Sequence, residues 1–229
     1  MKIFFRFLLS LPIYAAGLIV LHAVLVLNYA AQTQITYSLL AGLVLGSLLF
    51  TFVCRLKRFY IFGHELAHWI FAKVFMKETR NFKVGKNSGA VQVKNPNIWV
   101  VLAPYFYPTF TILWLPFWFA FRYFKDEIPY SLEIFFVVLG LSWAYHLVLT
   151  LYALKFEQSD IERAGRPLSF SIIFFINMVF IYGLLSLITN GPQESLIILW
   201  DTVKNDCSVA FNIVSLGLDE LRMFISSLN

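Results

Sequence analysis

The residues His64-Glu65-Leu66-Ala67-His68 match the pattern H-E-x-x-H, which combines two metal ligands with a carboxylate. On a helix, His64 and His68 lie four residues apart and project from the same face. Two imidazoles in this arrangement can bind one Zn²⁺, and Glu65 can act as general base toward a water that the metal activates. The alternative is that both histidines form hydrogen bonds inside a helical bundle.

A catalytic zinc needs a third protein ligand, and the sequence offers two candidates, His146 and Asp160. If one straight helix carried both, the fourteen residues between them would separate them by about 21 Å, too far to bind the same ion. Straight helices would place His146 at a depth similar to that of His68. They would place Asp160 at or beyond the membrane surface unless the chain folds back or a hydrophilic cavity opens. Each candidate also has a structural explanation: a hydrogen-bonded histidine in a bundle, or a surface carboxylate beside Arg163.

The composition is typical of an integral membrane protein. Of the 229 residues, 59% are hydrophobic and 14% are charged, and the mean hydropathy is +0.73, whereas soluble domains carry about 25% charged residues. The net charge of +5 suits basic loops facing the anionic lipid of a bilayer, but it is too small and dispersed to indicate nucleic acid. Cys54 and Cys207 are the only cysteines, and they predict neither a disulfide framework nor a thiolate zinc site.

The hydropathy pattern predicts an all-α polytopic membrane protein with about six transmembrane helices. The expected spans are residues 4–27, 37–54, 59–76, 98–121, 131–154 and 168–188. The first is expected to be a retained transmembrane helix, the alternative being a signal peptide cleaved near Ala15-Ala16. The fourth contains Pro104, Pro108 and Pro116, which should kink or break it, so it forms either the wall of a cavity or a bent packing helix.

The segments between and after the spans are more polar. Residues 82–84 and 90–94 alternate apolar and polar residues around Lys86-Asn87-Ser88-Gly89, which predicts a β-hairpin, the alternative being a solvated basic loop. A free strand edge there could pair with an extended substrate. The fifth helix can continue through Ala164, and Gly165 then suits its end. We expect a single bundle over residues 1–190, with a metalloprotease-like core at 59–190, and an amphipathic helical tail over 191–229, at the interface or capping the bundle.

Residues 63–75, followed by Phe82-Lys83-Val84-Gly85, resemble the signature of the site-2 protease family of intramembrane zinc metalloproteases, in particular its smaller bacterial members. The resemblance covers roughly residues 59–165. It implies a hairpin that dips into the membrane after the H-E-x-x-H helix, and a third zinc ligand from an aspartate on a later segment. That aspartate corresponds to Asp160, although Ile161 follows it where the family has glycine. His146 would then support the site or the bundle. The family's asparagine-containing substrate motif has no clear match in this sequence, and Asn177 is a candidate for it.

The resemblance implies a membrane-embedded zinc metalloendopeptidase, with His64, His68 and Asp160 as ligands and Glu65 as the catalytic residue. Its substrate would be a transmembrane protein, and its place would be the bacterial inner membrane, with the hairpin toward the cytoplasm. The positive charges of the loops, eight on the hairpin face and seven on the other, do not decide the orientation. No loop is long enough for a recognition domain, so selection would rest on the bundle, the hairpin or a partner protein. The alternatives are an inactive membrane scaffold that binds a partner, and a metal transporter.

Overall fold

The computed structural model describes residues 2–30, 34–85, 88–124, 127–155, 159–187 and 192–227, and it is mostly helical. The elements, in chain order, are α1 (Lys2–Ala30), α2 (Gln34–Leu48) with a π-helical turn (Leu49–Val53), α3 (Lys57–Val74), β1 (Thr79–Val84), β2 (Gly89–Val93), α4 (Ile98–Phe106), α5 (Thr109–Trp114), α6 (Phe117–Tyr123), α7 (Ser131–Leu154), α8 (Ser159–Ala164), α9 (Arg166–Ser186) and α10 (Pro192–Ser227).

Four of the described helical segments are long and apolar enough to cross a membrane, which agrees with the prediction of a membrane protein. They are Ile3–Asn28, Gln34–Val53, Ser131–Leu154 and Arg166–Ser186. The predicted third and fourth spans are not among them. The third corresponds to α3, which carries Lys57, Arg58, Glu65 and Lys73 and is therefore less apolar. The fourth is divided into three short helices.

Two helix pairs, α1 with α9 and α2 with α7, form the frame of the bundle. Glycines let α2 and α7 approach closely. A Cβ at Gly42 would meet the backbone carbonyl of Val137, and a Cβ at Gly140 would meet the carbonyl of Leu39. One turn further along α2, Gly46 faces Ala144. Small residues spaced four apart are the usual means of bringing two membrane helices into backbone contact.

The prolines break the predicted fourth span, as the sequence indicates. Pro104 lies inside α4, but Tyr107 adopts an extended backbone before Pro108, the N-cap residue of α5. Pro116 is the N-cap residue of α6. A proline disfavours helical backbone at the residue before it and cannot donate a backbone hydrogen bond, which accounts for the extended backbone of Tyr107. Leu115, before Pro116, keeps helical backbone. Every residue of α4 from Val100 to Phe106 is buried, which makes α4 an internal wall of the bundle.

α7 and α8 are separate helices and do not form one straight helix. α7 ends at Leu154, and α8 is a separate helix of six residues that begins at Ser159. Ile161 and Ala164 are buried in a cluster that also contains Ala67 of α3 and much of α4. The turn from α8 into α9 is made at Gly165, whose φ of +94° is rarely adopted by other residues. The helix therefore ends with its apolar run at Leu154, and the possible continuation through Ala164 as one helix is not observed.

The predicted hairpin is present as the antiparallel pair β1 and β2, with Thr79 opposite Val93 and Val84 opposite Gly89. Lys86 and Asn87 of the predicted turn lie outside the described residues. Both strands pack against α3. The described part of the tail, residues 192–227, is the helix α10, which packs on α1. His22 Nδ1 of α1 lies 3.0 Å from Asp206 Oδ2 of α10.

Candidate metal centre

Three side chains from two separate elements converge on the inner face of α3. His64 and His68 come from consecutive turns of α3, and Asp160 comes from α8. Asp160 Oδ2 lies 3.4 Å from His68 Nε2 and 3.9 Å from His64 Nε2. One potential ligand atom from each residue lies within 4.8 Å of the other two. Among the described residues, this is the group of histidine, cysteine and carboxylate side chains that is close enough to bind one metal ion.

The environment of His68 determines which of its ring nitrogens is free for a metal. His68 Nδ1 lies 2.7 Å from the backbone carbonyl oxygen of Val100 in α4. Because a carbonyl oxygen can only accept a hydrogen bond, Nδ1 must carry a proton, and Nε2, which lies 3.4 Å from Asp160 Oδ2, is the ring nitrogen available to a metal. Metal-binding histidines commonly make this kind of second hydrogen bond. The Val100 carbonyl is itself held by the start of α4, where the Asn97 side chain accepts a hydrogen bond of 2.9 Å from the Val100 N–H.

Asp160 is held toward the histidines by a polar contact and by the packing of α8. The hydroxyl of Tyr105 donates a hydrogen bond of 3.5 Å to Asp160 Oδ2, and Ile161 and Ala164 anchor the helix in the core. Burial raises the pKa of the Asp160 carboxyl, but its interactions with His64 and His68 outweigh burial and hold that pKa well below its ordinary value. The carboxylate is therefore in the ionised form that a metal ion requires.

Glu65 is not part of this ligand group, and the hairpin packs against it. Glu65 is 9% exposed, and its carboxylate accepts a hydrogen bond from the backbone N–H of Val91 in β2. A Cβ built at Gly89 would lie 2.6 Å from the Glu65 Cγ and 2.6 Å from the Ile61 Cγ2. Only a glycine at position 89 therefore lets β2 lie this close to Glu65.

His146, the other candidate ligand, is placed behind His64 and not in the ligand group. Its ring is buried in α7 and is hydrogen-bonded to the backbone of Tyr105. Asn177 of α9 also donates a hydrogen bond of 3.1 Å to the Tyr105 carbonyl. It therefore supports α4 and is not part of the ligand group. Two further residues of the site, Val100 and Tyr105, were not predicted from the sequence. The proline-broken segment was the available signal, since it suggested a cavity wall, but no pattern identified these two residues.

The donor set fits a zinc ion. Two ligand atoms at about 2.0–2.1 Å from a tetrahedral zinc are about 3.3–3.4 Å apart, and the distance between His68 Nε2 and Asp160 Oδ2 is 3.4 Å. His64 Nε2 is about half an ångström further from the carboxylate, at 3.9 Å. Two imidazoles and one carboxylate are a common set for a catalytic zinc, and they leave one coordination position for water or substrate. The side chains of His64, His68 and Asp160 are 14%, 13% and 23% exposed, so the site is enclosed but reachable.

Comparisons of this chain with protein-family models, with curated proteins and with solved structures find no match.

Proposed function

We propose that this protein is an intramembrane zinc metalloprotease that hydrolyses a peptide bond in or near a transmembrane segment of a membrane-protein substrate. The observation that carries the proposal is the convergence of His64, His68 and Asp160 beside Glu65, inside a bundle with four apolar helices long enough to cross a membrane. A carboxylate that follows directly after a metal-binding histidine is the arrangement expected of zinc peptidases. Its position within an apolar bundle favours a substrate that is also in the membrane.

His64, His68 and Asp160 would hold the zinc. When bound, zinc lowers the pKa of a water molecule toward about 7 and polarises a carbonyl oxygen. Glu65 is the group of this chain that takes the proton from the attacking water and later gives it to the leaving amine. The N–H of Val91 orients the Glu65 carboxylate, and the Val100 carbonyl and the Tyr105 hydroxyl hold His68 and Asp160. The substrate backbone must become extended to reach this site, because a helix hides its carbonyls in hydrogen bonds.

We propose that this protein is a multi-pass integral membrane protein. We propose that α3 and the broken α4–α6 segment lie within the membrane together with the four long helices, which gives the six membrane segments expected from the sequence. Within a membrane, the backbone N–H and C=O groups that the break after Phe106 leaves unpaired are tolerated only where protein or water provides their hydrogen-bond partners. Thr109 Oγ1, which donates over 3.1 Å to the Gly63 carbonyl, joins the two segments at that depth. The resemblance implies a bacterial cytoplasmic membrane and a hairpin on its cytoplasmic side.

The first experiment is the zinc content of the detergent-purified parent and of three variants. The parent is expected to hold about one zinc per chain, and His68→Ala and Asp160→Ala to lose it. Glu162→Ala, an exposed carboxylate of the same short helix, is the matched control and should keep the zinc. A correctly folded parent without zinc would contradict the proposal.

The second experiment separates a protease from a scaffold that only binds metal. Parent and Glu65→Gln are reconstituted in liposomes with a pool of single-span transmembrane peptides, and products are identified by mass spectrometry. We expect cleavage by the parent, and zinc without cleavage in Glu65→Gln, because glutamine cannot accept the proton. Equal cleavage rates would refute the role of Glu65. Zinc binding by the parent without cleavage of any peptide would favour the scaffold.

A further inference from the structure

A small cavity lies next to His64 of the metal centre. It has a volume of about 20 Å³ and is lined by residues of α3, α7 and the break between α4 and α5, including Tyr60, His64, Pro104, Thr109 and His146. A single water needs about 10–15 Å³ of such space and two to four polar partners. The cavity is therefore large enough for one water and too small for a larger ligand.

Three polar atoms of residues that line this cavity are buried without a hydrogen-bond partner among the described residues. They are His64 Nδ1, His146 Nε2 and the Tyr60 hydroxyl. The rings of Tyr60 and His64 are 5.7 Å apart. Burying a polar atom without a partner costs about 1–3 kcal/mol. Three such atoms beside one small cavity therefore indicate a shared partner.

The tautomers of the two histidines are complementary. If His64 binds a metal through Nε2, which points toward Asp160, its Nδ1 must carry a proton and needs an acceptor. The His146 ring donates to the Tyr105 carbonyl through Nδ1, since its Nε2 has no protein partner. Its Nε2 is then an acceptor. A donor and an acceptor that line one cavity can be bridged by a water, which accepts from one and donates to the other.

We infer that His64, His146 and Tyr60 bind one buried water, and that this water fixes the ring of His64 for metal binding. The inference rests on the proposed zinc site. The water would accept from His64 Nδ1, donate to His146 Nε2 and use the Tyr60 hydroxyl as its third partner. This arrangement parallels the direct hydrogen bond from His68 to the Val100 carbonyl. His146 is thus a positioning residue that acts through His64.

The test is the zinc affinity of purified protein, measured by competition with a fluorescent chelator, together with the absorption spectrum of the Co²⁺-substituted protein. His146→Leu should weaken zinc binding by about tenfold or more, as loss of a group that orients a metal ligand usually does. His146→Gln keeps an acceptor near the position of Nε2 and should restore most of the affinity. Thr150→Val is the matched control, because Thr150 is buried one turn further along α7 and does not line the cavity.

The outcomes separate this inference from the proposed function. A parent that binds zinc and a His146→Leu variant whose affinity and Co²⁺ spectrum equal those of the parent would overturn the inference alone. Equal losses in His146→Leu and His146→Gln would also overturn it, because packing and not an acceptor would then matter. A parent without zinc would overturn both. If His146→Leu does not fold, the Tyr60→Phe variant provides the test. Its zinc affinity is expected to fall by about two- to tenfold, and an unchanged zinc affinity would overturn the inference.

Discussion

The contact between the hairpin and Glu65 can be tested by adding one methyl group. In Gly89→Ala, the new Cβ would lie 2.6 Å from both the Glu65 Cγ and the Ile61 Cγ2. Carbon atoms in ordinary contact are about 3.5–4.0 Å apart, so β2 must retreat from α3 by about 1 Å. The retreat would also move the Val91 N–H away from the Glu65 carboxylate, because Val91 is only two residues further along the same strand.

The expected loss of stability in Gly89→Ala follows from the free-energy cost of overpacking. Inserting a methyl group into a packed contact usually costs about 1–3 kcal/mol. For a chain of 229 residues, each kcal/mol shifts the melting temperature by about 2–4 °C. We therefore expect Gly89→Ala to melt about 2–12 °C below the parent. Zinc content should be unchanged, because the methyl group meets Glu65 and Ile61 and none of the three proposed ligands.

The assay is thermal unfolding in detergent, with Gly183→Ala as the matched control. Gly183 lies in α9, and a Cβ there would meet nothing within 4 Å. Replacing a glycine inside a helix by alanine normally stabilises the fold by about 0.5–1 kcal/mol. Replacing glycine by alanine should thus lower the melting temperature at position 89 and raise it at position 183. A Gly89→Ala variant as stable as Gly183→Ala, with a hairpin no more sensitive to limited proteolysis than that of the parent, would refute the reasoning.

Two further substitutions test the elements that position the site. Asn97→Ala removes the side-chain cap of α4 and should cost about 1 kcal/mol; it should also weaken zinc binding, since the capped Val100 carries the carbonyl that holds His68. An unchanged melting temperature would contradict the capping role. Gly165→Ala places a side chain at a φ of +94°, with its Cβ 3.0 Å from the Arg6 Cδ. It should cost about 1–3 kcal/mol, and a melting temperature at or above that of the parent would show that the turn into α9 is not strained by a side chain.

The sequence by itself determines the parts of this protein that depend on local spacing and on composition. His64 and His68 share a face because they are four residues apart on a helix, whatever surrounds them. Alternation on either side of Lys86-Asn87-Ser88-Gly89 predicts the hairpin, and Pro108 and Pro116 predict the breaks, because backbone geometry is set by neighbouring residues. The apolar composition in the same way indicates a membrane protein. These features are local, so a linear pattern is sufficient to find them.

Only the tertiary structure decided which side chains meet. Asp160 reaches His68 because α8 is a separate helix that packs against α4 and Ala67 of α3, whereas the estimate that favoured His146 assumed one straight helix through both residues. The acceptor for His68 is the backbone carbonyl of Val100, which has no signature in the sequence because every residue carries a carbonyl. The approach of Gly89 to Glu65 likewise depends on how β2 packs on α3. Contacts between residues distant in the chain are set by packing in three dimensions, and spacing along the sequence does not encode them.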